Sequence, residues 1–207
     1  MMVEVDVALT DYALAIECGV FARMLGRSHA LARWLGRMFL ALAVCALAAG
    51  TVHGFCPDAG AGEWILWPLA LLALGLAALS AWGAGAFLVA SAAGVRRVVA
   101  VAWLAWLAYA AAVIAGVQSF AVAIANYLGA SVFLSFALAT AFRRTRDRGA
   151  LVAAAGMGLV FAGAVMQQAH VACLPLRLTH NGLFHVVQGA ALAMLFAGAR
   201  RLTRRDA

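Results

Sequence analysis

Thr179 to Arg205 reads THNGLFHVVQGAALAMLFAGARRLTRR, an apolar run from 180 to 200 that closes on arginines. A helix crossing about 30 Å of hydrocarbon needs roughly 20 residues, and this run supplies them. Its first two turns differ from the rest, because His180, Asn181, His185 and Gln188 are groups that lipid penalises. The segment therefore points to a membrane helix with a polar end, and asks what that end is for.

The remainder of the chain follows suit. With 67% hydrophobic and 11% charged side chains in 207 residues, and a mean hydropathy of +0.99, it carries more apolar surface than a water-soluble core of this size hides. The hydrophobic pattern predicts an all-α membrane protein of seven spans, at about 7–25, 38–55, 64–93, 96–117, 118–142, 149–173 and 180–200. The third is long enough to tilt or bend at Pro68, Gly83 or Gly85. Gly116 to Ser119 mark a tight hairpin between the fourth and fifth. With no linker, low-complexity tract or long repeat, residues 1–207 form one domain.

All fifteen basic residues are arginine, which excludes a retinal Schiff base, since that needs a lysine. Fourteen of them, all but Arg177, fall in alternate connections or at the C-terminus. The positive-inside rule then predicts a seven-transmembrane-helix bundle with the N-terminus outside and the C-terminus cytoplasmic. A bacterial cytoplasmic (inner) membrane is the expected location, membrane lipids are the expected partners, and no nucleic-acid partner is expected. The opening MMVEVDV is acidic and lacks the basic start of a secretory signal. Small residues at Gly50, Gly54, Gly158 and Ala162 suit close helix approach.

The polar residues within the spans gather toward the outer end. They are Asp11, His53, Asp58, Glu63, Gln118, Gln167, His170, His180 and His185, with Glu17 and Asn126 deeper. Asn181, His185 and Gln188 share a helix face by their spacing of four and three, as do Gln167 and His170. His180 lies about 140° from His185 on an ideal helix, so the two converge only if the helix starts after His180, with Thr179 or Asn181 as N-cap. Intramembrane ionisable groups face the bundle interior or water and are functional candidates. The candidate cavity lining is thus Asp11, Glu17, Gln118, Asn126, Gln167, His170, Asn181 and Gln188.

Three histidines and an open position are what a catalytic zinc site uses to generate hydroxide at neutral pH. The candidate ligands are His53, His180 and His185, with Asp58 or Glu63 as proton carrier and Thr51, Asn181 or Gln188 to orient a ligand or steady an oxyanion. Two other uses stand beside it. A transporter or sensor would bind through the same layer without metal, with Glu17 passing a proton or cation. A haem protein would ligate iron through two facing histidines, such as His53 and His185.

The pattern resembles the CREST superfamily of seven-helix membrane proteins, which includes alkaline ceramidases and adiponectin-receptor-like proteins. The matching residues are "AGTVHGF" with His53, Glu63 ten positions on, and "HNGLFHVV" with His185. The resemblance implies a zinc-dependent hydrolase of a lipid amide or ester, with the site near the outer face. Two positions depart from that family: Ala49 stands where a serine is usual, and Asn181 where the first histidine of the span-seven pair is usual. The layout also resembles uncharacterised bacterial seven-helix proteins.

"HGFC" and "HVAC" place Cys56 and Cys173 each three residues after a histidine. A Cys56 to Cys173 disulfide, a closed His2Cys2 metal site with His53 and His170, and free thiols are the alternatives. Cys18 and Cys45, inside spans, read as small packing residues.

Overall fold

The computed structural model describes residues 4–26, 28–56 and 60–204. Its described residues form seven helices: α1 (Val5–Leu25), α2 (Ala30–Phe55), α3 (Ala61–Val89), α4 (Ala92–Ile114), α5 (Phe120–Thr145), α6 (Arg148–Gln168) and α7 (His180–Arg204), with one 3-10 turn at Leu174–Leu176. Six of them, α2 to α7, are long and apolar enough to cross a membrane, which makes the chain an integral membrane protein. The seventh expected span, α1, has 21 residues. It is not apolar enough by composition, because Asp6, Asp11, Glu17 and Arg23 are spread along it.

The helix limits follow local chemistry. α2 starts eight residues before the expected 38, where His29 accepts the Leu31 N–H and caps the first turn. Serine and aspartate side chains do the same for α4 and α6, Ser91 accepting from Gly94 and Asp147 from Gly149. α6 stops at Gln168, short of the expected 173, because His170 turns left-handed (φ 53°) and the chain then folds into a Cys173–Leu178 bridge. The expected α4–α5 hairpin is present, with Gly116 at φ 98°.

Glycines decide how closely the helices approach. α3 runs unbroken through Pro68, and Gly83 and Gly85 seat aromatic rings: a Cβ at Gly83 would overlap Trp34, and one at Gly85 Phe133. Gly50 and Gly54 bring α2 against α1 at Asp11 and Ala8, as their size suggests. Gly158, in contrast, has open space around it. The tight seam of α6 is Gly149, Gly156 and Gly163, each seven residues from the next, against Gly198, Ala191 and the Phe184–Val187 turn of α7. A Cβ at Gly156 would sit 2.7 Å from the Ala191 carbonyl oxygen, so backbone meets backbone there.

The apolar core and the polar layer occupy opposite halves. Leu31, Leu35, Met38 and Phe39 of α2 pack with Leu134 and Leu138 of α5 and Leu195 of α7, all nearly inaccessible, in the half that bears the arginines. Phe21 stacks on Phe196 at 4.2 Å and meets Phe39 edge-on at 5.5 Å, which ties α1, α2 and α7 together. Glu4, Asp6, His53, Trp67, Gln118, Gln167 and His180 lie toward the other end, as contacts between the first turn of α1, the end of α2 and the starts of α3 and α7 require.

Candidate functional site

α1 and α7 form the walls of an open cavity of about 370 Å³. From α1 it is lined by Thr10, Ala13, Leu14 and Glu17, whose i, i+3, i+4, i+7 spacing makes one helix face. From α7 it is lined by His185, Val186, Gly189 and Ala190. Gly189 makes room for the acid, since a Cβ there would lie 3.0 Å from Oε2 of Glu17.

His185 joins the two helices at the polar end of this cavity. Its Nδ1 is 3.0 Å from Oγ1 of Thr10, and its Nε2 is 3.6 Å from Oδ1 of Asp11. Thr10 also donates back to its own helix, to the carbonyls of Asp6 at 2.8 Å and Val7 at 3.0 Å. Asp11 is only 4% exposed. It is wedged between His185 and Gly50, where a Cβ would come within 2.8 Å of the Asp11 Cβ. Its Oδ2 has no hydrogen-bond partner, an uncommon state for a buried carboxylate atom.

Among the described residues the three proposed zinc ligands are not gathered into one group. His53 Nδ1 is 3.0 Å from Oε2 of Glu4, at ion-pair distance but without hydrogen-bond alignment, and its ring stands edge-on to Trp67. His180 is already inside α7, so it keeps the angular offset from His185 and turns instead to His170, ring centres 4.6 Å apart. The cap is Thr179, whose Oγ1 accepts the Gly182 N–H at 3.2 Å. His185 has Thr10 on its Nδ1 side and Asp11 on its Nε2 side. Among the described residues no three His, Cys, Asp or Glu side chains form a group able to hold a metal ion. Asp58 lies outside the described residues, as does the side chain of Glu63.

The remaining expected residues divide in the same way. Thr51 donates to the Leu47 carbonyl at 2.7 Å and pairs with the Tyr12 hydroxyl at 3.1 Å, away from His53. Gln167 donates to Asn181 at 2.9 Å, so Asn181 serves the α6–α7 contact while His185, on the same helix, serves α1. Gln118 gives its backbone carbonyl to Trp67 at 3.1 Å. It and Asn126 belong to the α4–α5 side, and neither lines the cavity, nor do Asp11, Gln167, His170, Asn181 or Gln188. Of the eight expected lining residues, only Glu17 lines it directly. Cys56 and Cys173 are free thiols and not a disulfide, and the Cys56 sulfur is packed against Gly62.

Sequence reasoning passed over three residues that matter. Thr10 carried a signal, its spacing of seven from Glu17. Asp6, which holds the start of α7 through Thr179, and Glu4 carried none, because their partners are distant in the chain. No curated protein and no solved structure matches the chain. Residues 7–204 match the family of unknown function DUF6962, and the chain belongs to that family.

Proposed function

We propose that the protein is a proton-exchanging membrane binding protein of the transporter or sensor class, with the α1–α7 cavity as its binding site. The observation that carries this reading is His185, which touches Thr10 on one side and Asp11 on the other while forming part of the cavity wall that Glu17 shares. An ionised carboxylate in such a buried place needs a counter-charge, and the His185 imidazole is the group within reach. In the exchange the O–H bond of a protonated Asp11 breaks and an N–H bond forms at Nε2, leaving carboxylate and imidazolium. The Nδ1 proton of that imidazolium faces Thr10 and the cavity. The 3.6 Å separation exceeds hydrogen-bond length, so the transfer requires the two groups to close by under about 1 Å, a shift within side-chain motion.

In this reading α1 is the seventh span, stabilised in the bilayer by packing its acids against α2 and α7. The arginine-bearing end is cytoplasmic by the positive-inside rule, the cavity opens in the outer half, and the membrane is a bacterial inner membrane.

Infrared spectroscopy of the protein in lipid nanodiscs, titrated across pH, tests the relay without needing a ligand. The carboxyl C=O band should change with pH, be lost in Asp11→Asn and move in His185→Ala. A band insensitive to both substitutions would end this reading. The zinc hydrolase of a lipid amide or ester, and the haem alternative, gain no support from the geometry; stoichiometric zinc in the purified protein that disappears in His185→Ala would restore the hydrolase.

A further inference from the structure

We infer that the ligand of the α1–α7 cavity is a monocationic amphiphile, an ammonium group with a short apolar tail, held by the Glu17 carboxylate. The inference rests on the binding reading above and gives it a ligand class. Glu17 is the acid that lines the cavity, and it has no hydrogen-bond or ion-pair partner among the described residues. No arginine lines the cavity among those residues, and the imidazole that does, His185, faces Thr10 and Asp11. An unpaired carboxylate at membrane depth calls for a cation.

The walls decide which cation. Ala13, Leu14, Val186 and Ala190 are hydrocarbon, and the polar atoms beside Glu17 are the Thr10 hydroxyl and His185. A calcium ion takes six to eight oxygen ligands, and magnesium an octahedral set, which one carboxylate and one hydroxyl do not approach. A quaternary alkylammonium spreads its charge over C–H groups that pack on alanine and leucine, has no N–H donor to satisfy, and so needs only one counter-ion. The volume of about 370 Å³ falls in the range of small-molecule sites. Val186 and Ala190, on the α7 rim, are exposed on the bundle surface, so a tail can continue into the surrounding lipid.

The test uses the full chain in phosphatidylcholine nanodiscs with tritiated benzyltrimethylammonium, and with neopentylbenzene as a competitor of the same shape without charge. Wild type should bind the cation saturably, and neopentylbenzene should not displace it. Glu17→Gln, which keeps shape and removes charge, should weaken binding at least about tenfold. Gly189→Ala, which presses on Oε2, should weaken it by a smaller factor. Absence of saturable binding to wild type, equal binding to Glu17→Gln, or displacement by neopentylbenzene would each overturn the ligand class. The competitor arm needs no variant, so it decides even if a substituted chain fails to fold. Loss of cation binding with an intact Asp11 band refutes this inference alone, whereas an absent band with Glu17-dependent binding refutes the relay alone.

Discussion

The Asp6 carboxylate accepts two hydrogen bonds from Thr179, from its backbone N–H at 2.7 Å and its hydroxyl at 2.8 Å, both on Oδ2. The first turn of α1 is thereby fixed to the residue that caps α7. Partial burial pushes the Asp6 carboxyl up, but the Thr179 bonds and the backbone N–H groups of Val7 and Asp6 outweigh it and leave the group below its ordinary value. A depressed folded value means that the contribution to stability is complete above the ordinary carboxylate value of about 3.9 and is lost as pH falls through the folded one. Thermal unfolding in detergent should show Asp6→Asn less stable than wild type at pH 7, with the gap closing in acid below about pH 4. A gap that is constant with pH would show that the tie contributes nothing.

The α6–α7 seam should resist even one carbon. A Cβ at Gly198 would come within 2.6 Å of the Ala153 nitrogen, and backbone cannot move aside as a side-chain tip can. Gly198→Ala and Gly156→Leu should each cost about 1–3 kcal/mol, seen as a lower midpoint in detergent melting. Gly158→Leu, with open space around it, should leave the midpoint within experimental scatter.

Asp11 and His185 should be coupled. Removing the imidazole alone leaves the buried Asp11 without the group that faces its Oδ1. His185→Ala should therefore be more destabilising than the double change Asp11→Asn with His185→Ala, and a double-mutant cycle on unfolding free energies measures the difference. Additive effects would mean that the two groups do not interact.

The thiols provide a test of orientation. Cys56 and Cys173 are free and partly exposed toward the polar end, while Cys18 is buried. Without reductant, a membrane-impermeant maleimide added to intact cells should label Cys56 and Cys173 and spare Cys18. Labelling only after the cells are broken would reverse the assigned orientation, and labelling only after reduction would restore the disulfide.

How far the sequence could be read depended on whether the signal was local. The helices after α1 were legible because apolar length is a property of one segment, and the Gly116 hairpin because a turn is written in adjacent residues. α1 was harder, since its acids weigh against a span until α2 and α7 are known to cover them. The polar end was also visible, but depth is a coarse coordinate: His53, His180 and His185 share it and still face Glu4, His170 and Asp11 respectively. Rotation about each helix axis decides such partners, and pairings between helices are not encoded in spacing along one of them. The glycine seam was legible in principle, as a repeat of seven on α6 met by another on α7, and went unread because Gly158 and Ala162 lie on a different face.

That seam has a mechanical corollary. Where backbone rests on backbone there is no side chain to re-pack, so α6 and α7 behave as a single slab. α1 meets the slab through its side chains, Asp6 on Thr179, Thr10 and Asp11 on His185 and Phe21 on Phe196, and it packs closely on α2 at Gly50 and Gly54. The α1–α7 contact that borders the cavity is therefore a side-chain seam lying beside a backbone seam, and it is the softer of the two.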